Sequence, residues 1–367
     1  MKIAVLTSSR ADYSILSPLL YKLKKDKFFD LNIITFGSHL SVKHGKTINL
    51  IRKDGFKVTH SFNTNSTSDT PSAISNSISK TIINFATIWK KNKYDLVIAI
   101  GDRYEMFAAC ASSVPFNIPI AHIHGGETTK GAFDDCFRHS ITQMSTIHFT
   151  ATEKYKNRVI ELKGNKKNVH NVGALSIDNL KSLKLYSKKE FKNIFNIDIS
   201  LPTILITFQP ETANFQLNKQ YIKTLIDALH EIKEYQLIIT MPNADTMGNY
   251  IRKELEKFIL KSKNAIKIES FGTKGYLTCM QYCSMMLGNT SSGFIEASFF
   301  PKYVINLGKR QEGRIITSNI NTIQITKNAI LKAVQEFKYF KHLGYNGIYG
   351  NGQAAKNIIS ILKNSDK

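Results

Sequence analysis

The chain has 367 residues, of which 42% are hydrophobic and 10% aromatic, enough apolar content to exclude global disorder and to fill two domains rather than one core. Its net charge of +22 comes mostly from Lys scattered along the chain, and with no RRM, KH or zinc-finger pattern beside it a nucleic-acid partner is not indicated. No apolar run approaches the ~20 residues of a membrane span, the opening MKIAVLTSSRADYS is too short in apolar residues for a signal peptide, and Cys110, Cys136, Cys279 and Cys283 form no CxxC pair, so the expectation is a cytoplasmic protein without membrane anchor, disulfide scaffold or structural zinc.

In chain order, KIAVLT (2–7) reads as a strand and 13–25 as an amphipathic helix with Leu16, Leu19, Leu20 and Leu23 at helical spacing. LNIITFG (31–37) is the next strand, and 60–72 a polar loop. A helix over 74–92 leads to the apolar strand DLVIAIG (95–101). A helix over 103–114, the strand IPIAHIH (118–124), a helix over 134–145 and the strands HFTAT (148–152) and NVHNVG (168–173) complete the first half. The Lys/Ser/Asn-rich stretch 175–201 has no clear strand and reads as the linker. The pattern then restarts, with strands at 203–208, 235–241, 265–270, 285–289 and 303–308 and helices over 216–233, 247–262 and between the later strands. Alternation of this kind predicts parallel sheets with helices on both faces. The expected fold is α/β, two doubly wound Rossmann-like domains with an interdomain cleft. The expected boundaries are 1–174 and 175–367, with the last helix free to pack back on the first domain.

Ligands of such sheets bind at the carboxyl ends of strands, and there the polar residues concentrate: SSRADY (8–13), GSH (37–39), GDR (101–103), HIHGGE (122–127), FQPE (208–211), PNAD (242–245), GNTSSG (288–293) and GKRQ (308–311). Five of the eight arginines, Arg10, Arg103, Arg138, Arg310 and Arg314, lie in or beside these segments. A planar guanidinium binds phosphate or carboxylate in a bidentate way that Lys lacks; the competing role is loop fastening through carboxylates such as Asp102 and Glu105. In GNTSSG, small residues and hydroxyls follow a strand and precede a helix starting near Phe294, which suits a diphosphate, with Glu296 one turn in for a ribose; a polar helix cap is the competing reading. There is no Walker A motif and no GxGxxG after the first strand, so no dinucleotide cofactor is indicated. Asp134-Asp135-Cys136-Phe137-Arg138-His139 reads as a helix start, and with His122, His124 and Glu127 it supplies carboxylates and imidazoles for acid–base chemistry.

Taken together, SRADYS, GSHL, GDRYE, HIHGGE, DDxFRHSITxMS, PNAD, GNTSSGxIE, INLGxRQxGR and IYGNG resemble, in order and over almost the whole chain, the hydrolysing UDP-N-acetylglucosamine 2-epimerases, which have a glycosyltransferase-B-like fold. The resemblance implies conversion of UDP-N-acetylglucosamine and water to N-acetylmannosamine and UDP by anti elimination through 2-acetamidoglucal, without metal or redox cofactor, in sialic-acid-type biosynthesis. Some bacterial relatives act instead on a UDP-2,4-diacetamido-trideoxyhexose for legionaminic acid. By motif, Asp102, His124, Glu127 and Asp134 would transfer or position protons and Arg138 would orient them. Arg10, His39, Gln209, Asn243, Thr290, Ser291, Ser292, Glu296 and Arg310 would bind the UDP-sugar. The resemblance also implies a homo-oligomer, dimer or tetramer. Two positions depart from the pattern: His124 stands where some relatives have Glu, and Gln209 where the family often has His. Gln cannot transfer a proton, so a binding role is expected there. A glycosyltransferase of the same fold and a non-hydrolysing epimerase are the alternatives. The proton-transfer cluster in HIHGGE through DDCFRH argues against both.

Overall fold

A computed structural model describes residues 1–42, 45–64, 68–243, 245–341 and 344–364. Ala244 of the PNAD segment and residues 65–67 of the predicted polar loop lie outside the described residues. The chain divides into two compact units. Unit 1 comprises Met1–Glu127, Asp134–Ser182 and the stretch from Ile348 on; unit 2 comprises Thr128–Phe133 and Leu183–Gly347.

Unit 1 runs β1 (Lys2–Thr7), α1 (Arg10–Lys25), β2 (Asp30–Thr35), α2 (Ile48–Lys53), β3 (Val58–Ser61), α3 (Pro71–Lys91), β4 (Leu96–Ile100), α4 (Tyr104–Ser113), β5 (Ile120–Ile123), α5 (Asp134–Met144), β6 (Ile147–Thr150), α6 (Glu153–Lys163), β7 (Val169–Asn171) and α7 (Leu175–Ser182). The strands form a parallel sheet in the order β3-β2-β1-β4-β5-β6-β7. β4 reads Leu-Val-Ile-Ala-Ile and is buried throughout, as a central strand covered on both faces must be. Local chemistry sets the helix starts. Ser9 and Asp12 form a capping box on α1, Thr70 and Pro71 open α3, and Thr152 caps α6, which ends on left-handed Gly164.

Unit 2 runs α8 (Lys188–Phe195), β8 (Thr203–Thr207), α9 (Asn218–Leu229), β9 (Gln236–Thr240), α10 (Gly248–Lys261), β10 (Ala265–Ile268), α11 (Gly272–Tyr282), β11 (Met285–Gly288), α12 (Glu296–Phe299), β12 (Tyr303–Leu307), β13 (Ile320–Ile323) and α13 (Lys327–Glu336). Its sheet is parallel, in the order β10-β9-β8-β11-β12-β13. The excursion 128–133 is stitched to this unit through its own main-chain groups, two bonds to main chain and one to a side-chain hydroxyl. Lys130 N–H donates to Glu312 O at 3.0 Å, Ala213 N–H to Gly131 O at 3.3 Å, and Phe133 N–H to Thr212 Oγ1 at 3.1 Å.

After unit 2 the chain returns to unit 1 as α14 (Ala354–Asn364), whose Ala354, Ala355, Ile358 and Leu362 join the core around Leu16, Leu19 and Leu23 of α1. Buried Asp178 of α7 accepts the N–H groups of Ala354 and Ala355 at 3.0 and 2.9 Å, and Tyr349 O of the IYGNG segment accepts from Ala174 N–H at 2.9 Å. The break between units therefore falls after Ser182 and not at 174/175. α7 stays with unit 1 because Asn179 bonds Ser14 O at 2.6 Å and Ser17 Oγ at 3.2 Å. The stretch read as a linker carries two helices, and α8 starts on a Ser187–Glu190 capping box. No helix among the described residues is long and apolar enough to cross a membrane.

Candidate active site

Strand order reverses between β1 and β4 in unit 1 and between β8 and β11 in unit 2, the positions where parallel sheets of this kind offer a ligand crevice. At the end of β1, Asp12 is spent on the turn itself: its carboxylate accepts from Ser8 N–H, Ser8 Oγ and Ser9 N–H at 2.7–3.0 Å. Arg10 opens α1 directly after that turn and is partly exposed. His39, expected to face a ligand, is wholly buried instead. Its Nε2 pairs with the Thr7 hydroxyl and its Nδ1 with the Thr47 hydroxyl, both at 2.8 Å. Burial pushes its pKa down to about 4. With both ring nitrogens taken, His39 holds the segment after β2 and has no polar atom left for a substrate.

At the end of β4, Arg103 clamps buried Glu105 with two nitrogens at 3.1 and 3.2 Å, the loop-fastening alternative. Asp102 is 26% exposed and paired with Nη2 of Arg138 on α5. Arg138 is itself buried, and its Nη1 donates to Glu127 O at 2.9 Å and approaches Asp135 at 3.4 Å. Asp134 is buried at the first position of α5, where the helix N-terminus favours a carboxylate. His122 is turned inward: its Nε2 donates to Gly101 O at 2.8 Å, Thr142 Oγ1 lies 3.1 Å from its Nδ1, and burial pushes its pKa down to about 3. It holds the Gly101–Asp102 turn and moves no proton.

The HIHGGE turn is the most constrained part of unit 1. His124 has φ +66°, a left-handed conformation rare for a residue with a side chain. Gly126 is required two residues on, because a Cβ there would lie 2.3 Å from Tyr155 O. The turn brings Nδ1 of buried His124 to 2.6 Å from Oε1 of buried Glu127. A carboxylate only accepts, so Nδ1 carries a proton, and in the neutral imidazole Nε2 is then the nitrogen with the lone pair. That Nε2 is buried and has no hydrogen-bond partner among the described residues. The structure thus joins Asp102, Arg138, Glu127 and His124 into one array.

In unit 2, Gly288 ends β11 at φ +147°, where a Cβ would lie 2.0 Å from Thr207 O of β8. Next to it, Asn289 clamps the β8 end by accepting from Gln209 N–H at 2.7 Å and donating to Gln209 O at 2.8 Å. Gln209 is buried, and its side-chain oxygen accepts from Asn243 N–H at 2.9 Å, so it fastens the segment after β9. Arg310 spends Nε on Pro210 O at 3.1 Å and Nη1 on Asn289 O at 3.2 Å. Buried Glu211 accepts the Lys309 and Arg310 N–H groups at 2.8 and 3.1 Å. Arg310 therefore ties the ends of β8 and β11 together. The helix expected near Phe294 begins two residues later and is short. A single 3-10 turn, Ser291–Gly293, precedes four-residue α12, and Glu296 is its first residue rather than one turn in. Gly293 packs against Val304, where a Cβ would lie 2.9 Å from its side chain, and Pro301 cannot extend a helix. The anion-binding potential of this segment lies in its hydroxyls, not in a helix dipole: Thr290 Oγ1 is 3.2 Å from Ser292 Oγ, and Ser292 Oγ is 2.6 Å from the Tyr276 hydroxyl. Asn289, Glu211 and Tyr276 were not assigned from sequence. The first two stand in strand-end segments, whereas Tyr276 sits inside a helix with no local signal.

Two parallel doubly wound sheets of this kind place the fold in the glycosyltransferase-B-like α/β class. The chain belongs to the UDP-N-acetylglucosamine 2-epimerase family, which it matches over residues 21–363. It is 35% identical to the GDP/UDP-N,N'-diacetylbacillosamine 2-epimerase (hydrolyzing) of Campylobacter jejuni over 87% of this chain and 83% of that one. It is 33% identical to the polysialic acid biosynthesis protein P7 of Escherichia coli over 99% of this chain and 93% of that one. The crystal structure of Neisseria meningitidis UDP-GlcNAc 2-epimerase bound to UDP-GlcNAc shares the fold, with a TM-score of 0.83 at 18% identity, covering 99% of this chain and 100% of that one.

Proposed function

We propose that the chain is a cytoplasmic hydrolysing 2-epimerase that converts UDP-N-acetylglucosamine and water to N-acetylmannosamine and UDP, for sialic-acid-type sugar synthesis. The observation that carries this reading is the His124–Glu127 pair with its unbonded, buried Nε2, joined through Arg138 to Asp102. Epimerisation at C2 requires one group to remove a proton and another to return one from the opposite face. In the first half-reaction a base takes the C2 proton, the C1–O bond breaks and UDP leaves anti to that proton. In the second, water adds to C1 of the 2-acetamidoglucal and C2 is protonated from the other face. His124 Nε2, Asp102 and Asp134 are the proton-transfer candidates. Glu127 fixes the imidazole tautomer and Arg138 fixes Asp102. Unit 2 holds the UDP portion through Thr290, Ser291, Ser292, Glu296 and Arg310, and Arg10 is a further candidate for diphosphate binding. Gln209 and Asn243 enter as binding and not as proton-transfer residues. The enzyme acts as a homo-oligomer, dimer or tetramer, and needs no metal or redox cofactor.

A second reading, the same reaction on a UDP-2,4-diacetamido-trideoxyhexose, is favoured by the name of the Campylobacter relative. Proton NMR in D2O with each nucleotide sugar separates the two. The first reading expects free UDP and N-acetylmannosamine deuterated at C2 from UDP-N-acetylglucosamine. Turnover confined to the diacetamido sugar would establish the second. A UDP-sugar returned intact with inverted C2 would make the enzyme non-hydrolysing and overturn both.

A further inference from the structure

The chain leaves unit 1 after Glu127, runs through 128–133 in unit 2 and re-enters unit 1 at Asp134. Both residues that flank this excursion carry carboxylates placed in the proposed reaction. The excursion fits unit 2 closely. A Cβ on Gly313 would lie 2.6 Å from Thr128 Cγ2, and a Cβ on Gly131 would lie 2.5 Å from both Arg310 Cα and Lys309 O. Its last residue, Phe133, donates its N–H to a side chain, Thr212 Oγ1 at 3.1 Å. Thr212 is buried, and the main chain on either side of it is fixed. On one side, the Glu211 N–H and carbonyl pair with the Asn218 side-chain amide at 3.0 and 2.9 Å. On the other, Ala213 N–H donates to Gly131 O. The Thr212 hydroxyl is therefore a fixed acceptor one residue short of Asp134. Asp134 is the first residue of α5 and has no helical turn before it, so its placement depends on the main chain that enters the helix.

We propose that Thr212 is a positioning residue for proton transfer: its hydroxyl holds the Phe133 main chain and thereby the carboxylate of Asp134, the next residue. This rests on the reading that Asp134 takes part in 2-epimerisation. It deepens that reading by giving unit 2 a part in the chemistry apart from holding UDP.

The test is steady-state turnover of the full chain, with UDP affinity by calorimetry, for wild type, Thr212→Val and Thr212→Ser. The substrate is UDP-N-acetylglucosamine or the diacetamido sugar, whichever the wild type hydrolyses. Val keeps the shape and removes the acceptor; Ser keeps the acceptor and removes the methyl group. The main-chain bonds of Lys130 and Gly131 remain in both variants, so the excursion stays attached. Misplacing a reacting group by about 1 Å costs about 10²-fold, so kcat of Thr212→Val is expected to fall roughly 10- to 100-fold. KM and the UDP Kd are expected to stay within about twofold of wild type, the pattern of a group that matters in the transition state alone. Retained UDP binding also shows that unit 2 is folded. Thr212→Ser is expected to recover kcat to within about threefold of wild type, because the hydrogen bond is restored. A wild-type kcat in Thr212→Val would overturn the inference. Equal losses in Val and Ser would assign the effect to packing of the methyl group, and UDP affinity falling in step with kcat would assign it to the UDP site; either outcome overturns it too. A wild-type chain that hydrolyses neither sugar would overturn the proposed reaction itself, and this inference with it.

Discussion

His124 and Glu127 form a short acid–base contact at the strand ends of unit 1, 2.6 Å long, and their meaning lies in what each leaves the other. Glu127 uses its side chain on Nδ1 and its backbone oxygen on Arg138. One residue thus sets the imidazole tautomer and anchors the guanidinium that holds Asp102. Glu127→Gln keeps the backbone contact and the shape but removes the carboxylate. Turnover is expected to fall by about 10²–10⁴-fold, the usual worth of general acid–base catalysis. UDP affinity should stay within about twofold of wild type, since a neutral hydrogen bond in unit 2 is worth about 1 kcal/mol and none is removed. His124→Asn should do the same, and the double variant should lose no more than either alone, because the pair acts as a unit. Steady-state rates with calorimetric UDP binding check this; a wild-type rate in Glu127→Gln would detach the pair from the chemistry. His124, Glu127 and Arg138 stand out in the sequence because HIHGGE and DDCFRH hold them close together, whereas their link to Asp102 of GDR is made only by the fold. His39 was misplaced for a reason sequence could not supply: its two partners, Thr7 and Thr47, come from separate elements.

Among the elements, the clasp between α7 and α14 closes unit 1. Asp178 supplies the first two N–H groups of α14 with acceptors, a buried equivalent of a helix cap. Asp178→Ala leaves those groups unpaired and is expected to cost about 1–3 kcal/mol. The measurement is urea unfolding followed by fluorescence of Trp89, the only tryptophan, which is buried in unit 1. An unchanged midpoint would show that α14 is held by its apolar face alone. Central strands were legible because they are continuous apolar runs. β3 and β13 were not, since they lie at sheet edges and read VTHS and INTI, with too little apolar character to stand out. α7 and α8 were hidden by their polar faces. The late start of α12 was not legible because the packing of Gly293 against Val304 is a tertiary limit that a motif does not display.

For the whole molecule, histidine distribution makes the two units unequal in acid. His39, His122 and His148 of unit 1 are almost wholly buried, and burial lowers their pKa values to about 4, 3 and 4. In the unfolded chain each titrates near its ordinary value of about 6.5. The folded state therefore binds fewer protons between about pH 6.5 and 4. Stability is fully present above that window and falls through it as the pH drops, by about 1.4 kcal/mol per pH unit for each histidine. Three such groups together remove about 6 kcal/mol by pH 5, comparable to the low end of a typical domain stability of 5–15 kcal/mol. The Trp89 melting transition is expected to fall steeply between pH 7.5 and 5; a transition that does not move would mean that these imidazoles reach solvent before unfolding. The return of the last helix to unit 1 carries a further consequence, for synthesis on the ribosome. The sheet of unit 1 emerges first, yet the helix that covers α1 is made only after the whole of 183–347. At about 5–20 residues per second that interval is on the order of ten to thirty seconds. Throughout it the apolar flank of α1 waits uncovered, and unit 2 has its last strand, β13, before α14 is made, so the half begun first is finished last, and a nascent chain is most exposed to chaperones and proteases at its own N-terminal half.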